Sequence, residues 1–308
     1  MIVYEPNKNF FKDVTHLTKS WTMVKIMRAI LLMGLFTFVV CAPIEYYGWM
    51  KDPMVDISLF SFLGVVLSIL LVFRTNSAYD RWWEGRKQWG SLVNHCRNLA
   101  TQVHAIFPED DLKTRKEMAT YISNFCIAFK EHLREGVKLE ELVHVSPEMM
   151  EEYKEKNHVP NWISYQIQAK IEQAHKAGVV TTSQHMNLRH NVNALLDILG
   201  ACERIKKTPI PFSYAVYIKV FIVVYSLLLP CALVSEYGLW TVPIVMLVFF
   251  AFIGLELMAE EIEEPFGLDC NDLPTGVIAH TIKNNVFEIL VDKHPSSFAN
   301  QELYHKQH

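Results

Sequence analysis

The segment Ile57 to Arg86, reading ISLFSFLGVVLSILLVFRTNSAYDRWWEGR, constrains this chain more than any other. Its first 17 residues, Ile57 to Phe73, carry no charge and run straight into Arg74 and a polar, aromatic and charged stretch. As an α-helix that apolar run rises about 25 Å, near the lower limit for crossing the hydrocarbon core of a bilayer. Trp82, Trp83 and Trp89, interleaved with Arg81, Arg86 and Lys87, suit a helix leaving lipid at headgroup level. The pattern predicts one helix that emerges from the membrane and continues into the cytosol. A pore-lining element has that architecture, but the pattern alone does not require a pore.

Three more uncharged runs stand out: Ala29 to Ile44, Val220 to Ser235 and Tyr237 to Leu255, of 16, 16 and 19 residues. Apolar and aromatic flanks extend the two shorter ones toward spanning length. Any one of them reads equally as a buried core helix of a soluble protein. Four together, in a chain that is 51% hydrophobic and 20% charged, argue for a membrane protein with a substantial soluble part.

Orientation follows from the lysines and arginines beside the spans. Lys8, Lys12, Lys19, Lys25 and Arg28 precede the first span, and Lys51 alone lies between the first and second. Arg74, Arg81, Arg86 and Lys87 follow the second; Arg204, Lys206, Lys207 and Lys219 precede the third. Both termini and the central segment are therefore expected in the cytoplasm. The central segment reads as helical. Pro108 followed by Glu109, Asp110 and Asp111 marks a helix start, Ser146-Pro147-Glu148 another, and Gly178 a stop. A further helix is expected from about Gln184 to Ile205, ended by Pro209 and Pro211. The expected class is all-α, as one continuous body over 1–308, with cytosolic helices in about 74–209 and 256–308.

Several function classes fall away. A net charge of −4 with no basic tract argues against nucleic-acid binding. The six cysteines form no CxxC pair, and Cys41 and Cys231 lie inside apolar runs, so free thiols are expected. Met1 to Lys19 has no apolar core, so no signal peptide is expected there. No HExxH, GxSxG, phosphate-binding loop or GxGxxG occurs. The 13 histidines are scattered; His185 and His190, five apart, do not share a helical face.

Two constellations remain. Glu256, Glu260, Glu261, Glu263 and Glu264 lead into Pro265-Phe266-Gly267-Leu268-Asp269-Cys270-Asn271-Asp272. Carboxylates around a tight Pro-Gly turn are hard oxygen ligands suited to Ca²⁺. The alternative is an acidic turn in which Asp272 caps the next helix. In the second span Val65, Ile69 and Phe73 form a stripe at i, i+4, i+8, beside the small residues Gly64 and Ser68. Such a stripe is either an apolar gate or a packing and lipid-facing surface.

Leu63-Gly64, the run to Phe73-Arg74, Asn76-Ser77-Ala78-Tyr79 and Arg81-Trp82-Trp83-Glu84 resemble the first motif of the bestrophin family in its bacterial form. Glu264-Pro265-Phe266-Gly267 with Asp269 and Asp272 resembles the second. The motifs follow the first and second apolar hairpins, so the resemblance covers nearly the whole chain. It implies a homopentameric channel for small monovalent ions, four membrane helices per subunit and a central pore, in the bacterial inner membrane. It further implies a hydrophobic neck at Val65, Ile69 and Phe73, a cytosolic aperture near Ser183 or Met186, and anchoring of the second helix by Arg81, Trp82 and Trp83. Animal relatives clasp Ca²⁺ around the second motif. Asp269 and Asp272 match that clasp, while Glu261 and Glu264 stand where the animal branch has amides. Calcium is thus a possible ligand rather than a required cofactor. The carried ion is left open, anions as in animal relatives or cations as in some bacterial ones. Two rival readings are a membrane-anchored metalloenzyme using the Glu260 to Asp272 cluster and a non-conducting scaffold.

Overall fold

The computed structural model describes residues 21–48, 56–269 and 271–291. Lys8, Lys12, Lys19, Lys51 and Cys270 lie outside them. Among the described residues the chain is helical, without strands. Helix α1 covers Trp21–Tyr47 and α2 covers Ile57–Ile106. Asp56 caps α2, its carboxylate accepting the Ser58 N–H at 2.8 Å. No glycine or proline interrupts α2 at Arg74, so its 50 residues run unbroken for about 75 Å.

Helix α3, Leu112–His132, begins four residues after the start expected at Pro108; the acids precede it, and Asp111 caps it by accepting the Thr114 N–H at 3.1 Å. Helix α4, Pro147–Lys154, has Ser146 as its cap and Pro147 at its first turn, as the sequence predicts. Helix α5, Val159–Lys176, ends just before Gly178, which sits at φ 75°. Helix α6, Thr182–Lys207, outruns the expected span by two residues at each end. Its N-terminus is set by a capping box between Thr181 and Gln184.

Helices α7, Phe212–Tyr237, and α8, Thr241–Glu263, are joined by the 3₁₀ turn Gly238–Trp240. Gly238 adopts φ 50°, and a side chain there would strike the Glu45 carboxylate. The break thus falls after Tyr237 rather than at Glu236, and α8 continues past Leu255 to Glu263. Helix α9 covers Thr275–Val291.

Three stretches are long and apolar enough to cross a membrane: Met23–Tyr47, within Ile57–Ile106, and Phe212–Glu263, the last being α7 plus α8. Their contacts fix direction. Tyr225 meets Phe252 and Lys219 meets Glu260, so α7 and α8 run antiparallel. Tyr225 meets Phe60 and Tyr214 reaches Leu70, so α2 and α7 also run antiparallel. Gly34 faces Met246 and Glu45 faces Gly238, so α1 opposes α8.

Two cores result. One lies among α1, α2, α7 and α8, centred on Leu67, Leu71, Ile222 and Val245. The other lies among the lower half of α2 and α3, α5, α6 and α9, centred on Trp89, Phe125, Ile163 and Leu195. Helix α2 belongs to both, its last residue in the first core being Leu71 and its first in the second Trp89. Helix α2 is therefore the continuous structural link between the apolar bundle and the helical body.

Candidate functional site

Helix α2 has two faces. Leu67, Leu71, Arg74 and Ala78 pack inward, fully buried. The opposite face is open and reads Ser58, Phe62, Val65, Ile69, Phe73, Asn76, Asp80 along the helix. It carries a hydroxyl at one end, four apolar side chains in the middle, and an amide and a carboxylate at the other. Val65, Ile69 and Phe73 are 58%, 51% and 60% exposed, and Val72 stands beside them. The apolar band is thus wider than the three-residue stripe. Gly64 packs under the Tyr225 hydroxyl, which donates to the Phe60 carbonyl at 3.2 Å. Ser68 does not join that contact. It faces outward and donates to its own helix at the Gly64 carbonyl, 2.8 Å away.

One residue below Phe73 the helix is locked. Arg74 is 1% exposed and pairs through Nη2 with Glu263 at 2.7 Å, with Glu256 at 3.5 Å from its Nε. Glu256 is 0% exposed. The other Glu263 oxygen accepts the Ile210 N–H at 2.8 Å. Arg81 extends the joint, donating to the carbonyls of Glu263, Ile205 and Thr208. One arginine thereby reaches carbonyls at the C-terminal ends of both α6 and α8. Arg81, expected to anchor the second helix, is half-buried and clamps α2 against the ends of α6 and α8. Trp82 also packs inward and donates to the Asn271 carbonyl at 2.9 Å. Trp83 remains exposed, stacked in a row with Tyr79 and Trp82 and with Lys87 over its ring. The Arg74–Glu256–Glu263 cluster is not foreseen from the sequence, where Arg74 is a charge flanking the second span and the two glutamates belong to the acidic run before Pro265. Its one signal was opposite charges at matching ends of two apolar runs.

Ser183 and Met186 lie in the first turns of α6, both exposed. The turn after α8 departs from expectation. Asp272 does not cap α9; it folds back so that Oδ2 accepts the Asp269 N–H at 2.6 Å. Its other oxygen is buried without a hydrogen bond. Burial pushes the Asp272 carboxyl up to about 7, with Asp269, Glu261 and Glu264 adding to the rise. The donor chemistry suits a hard divalent cation, and the orphaned Oδ1 points the same way. Yet among the described residues no three of these carboxylates bring oxygens within 4.8 Å of one another.

The family model for Bacterial/Fungal Bestrophin protein matches residues 1–288. The chain belongs to the bestrophin family. A voltage-dependent anion channel-forming protein of a Nostoc species is 39% identical over 232 residues, 73% of this chain and 75% of that one. One from Mesorhizobium japonicum is 28% identical and covers 98% of this chain and 97% of its own. The crystal structure of a point variant of a bacterial bestrophin homologue from Klebsiella pneumoniae superposes with a TM-score of 0.81 at 27% identity, over 86% of this chain and 98% of that one. The Nostoc and Mesorhizobium relatives are named as channel-forming proteins, not enzymes, and the metalloenzyme reading falls away. The bestrophin motifs in this chain map onto the joint just described. Arg81-Trp82 supplies the clamp, and Pro265-Phe266-Gly267 supplies the surface against which α2 rests, with Gly85 lying 3.1 Å from the Phe266 ring by its missing Cβ.

Proposed function

We propose that this chain assembles as a homopentamer in the bacterial inner membrane and conducts small monovalent ions through a hydrophobic neck. The observation that carries this reading is the open face of α2, which turns Phe62, Val65, Ile69 and Phe73 away from its own bundle. An apolar row left uncovered by the described residues is costly in water. Five such rows around an axis would form a narrow apolar passage that water and ions enter only when it widens. Four crossings per subunit fit the alternating directions of α1, α2, α7 and α8. With α8 ending at the helical body and α1 opposing it, both α1 and the body start from the same side. The lysines and arginines beside the spans favour the cytoplasm for that side. Ser183 and Met186 at the open end of α6 are our candidates for the lower aperture. The names of the curated relatives favour anions as the carried species.

The neck is tested by single-channel recording of Ile69→Ala. Removing three carbons per subunit widens and wets the constriction. Conductance or open probability is expected to rise severalfold. An unchanged record from a correctly assembled variant places the neck elsewhere.

A further inference from the structure

Three side chains from three helices meet inside the helical body, away from the α2 face and from the acidic turn. His132 is the last residue of α3, His158 is the cap of α5, and Glu203 lies on α6. Their ligating atoms all lie within 4.8 Å of one another. Both histidines aim Nε2 at the same carboxylate oxygen, at 2.5 Å and 2.9 Å. Their rings sit 4.4 Å apart, centroid to centroid. Each side chain is between 20% and 31% exposed, so the cluster is held by packing yet open to an incoming ion.

We propose that His132, His158 and Glu203 form a binding site for a divalent transition metal, zinc foremost, that ties α3, α5 and α6 together. Two imidazole nitrogens and one carboxylate are a ligand set suited to Zn²⁺, leaving a fourth position for water. Ligand atoms around a tetrahedral zinc lie about 3.3 Å apart, so small side-chain rotations seat the ion. The nearby cation Lys206 is tied off, its Nζ donating to the Arg134 carbonyl at 2.5 Å. One existing contact is given up. His158 Nδ1 accepts the Asn161 N–H at 3.3 Å, and metal at Nε2 puts a proton on Nδ1.

That contact supplies the test. His158→Asn keeps a capping oxygen for α5 while removing the metal ligand. Glu203→Gln keeps the fold's hydrogen-bonding capacity while removing the charge. Chelator-stripped full-length protein is titrated with Zn²⁺ against a chromophoric competitor, and with Co²⁺ by visible absorption. The expected result is one tight Zn²⁺ per chain, an intense four-coordinate Co²⁺ spectrum, and a melting temperature raised by Zn²⁺. Both variants are expected to weaken binding by at least about 100-fold. Zinc bound equally by wild type and His158→Asn, or a weak octahedral Co²⁺ spectrum from wild type, overturns the site. A weak octahedral Co²⁺ spectrum from wild type overturns the site even if a variant fails to fold.

Discussion

At the scale of single residues, the least comfortable group in the body is Asp272. Its folded carboxyl titrates near 7, well above the ordinary carboxylate range, because it is buried beside Asp269, Glu261 and Glu264. A group with a raised folded pKa binds its proton more tightly folded than unfolded. The stability it lends is complete below about pH 4 and is lost as pH rises through 7. Asp272→Asn keeps an oxygen for the Asp269 N–H and removes the charge. Thermal melting across pH should show wild type and variant alike at pH 4. At pH 8 the variant should be more stable, on the order of 3 kcal/mol. Curves that stay parallel over the whole range would show the carboxylate to be well solvated or neutralised. The two aspartates are plain in the sequence. Their geometry is not, because whether Asp272 caps forward onto α9 or backward onto Asp269 depends on how the Pro265-Phe266-Gly267 turn closes.

At the scale of elements, α2 was legible and its attachments were not. The apolar run, the tryptophans and the absence of glycine or proline at Arg74 specify one long helix, and the structure has it. Capping chemistry likewise marked Ser146 and Gly178, whereas the start expected at Pro108 comes four residues later, at Leu112, with Asp111 as its cap. What spacing within one helix cannot reveal is pairing across helices. Arg74 and Glu256 read as charges beside apolar runs, yet they meet because α2 and α8 run side by side in the same direction. The joint between them fixes the height and rotation of the helix directly below Phe73. Arg74→Gln strands two carboxylates and is expected to cost about 3–5 kcal/mol, read as a lowered melting temperature in detergent. Glu256→Gln should be milder, since its nearest partner is 3.5 Å away and neither oxygen is hydrogen-bonded. Equal losses from the two would mean that Glu256, not Glu263, carries the pair.

At the scale of the whole molecule, two cores share one helix. The upper core presents apolar surface outward on α1 through Leu31, Leu32, Leu35 and Val39, and on α2 through Phe62, Val65 and Ile69. Outward apolar surface on α1 suits lipid; on α2 it suits a lumen enclosed by copies of itself. That assignment needs the assembly, which neither hydrophobic periodicity nor a single chain's packing specifies. Val65, Ile69 and Phe73 come out of the sequence through family resemblance, because in so apolar a helix almost every i, i+4, i+8 row is hydrophobic. The measurement that bears most directly on a conducting pore is planar-bilayer recording of the purified oligomer in a KCl gradient, on wild type and on the variant with Val65, Ile69 and Phe73 all changed to alanine. A reversal potential displaced toward the chloride equilibrium value, with larger currents from the variant, is the expected result. Displacement toward the potassium value keeps the pore and replaces the anion assignment. Silence from both proteins, each shown to be oligomeric, contradicts the channel.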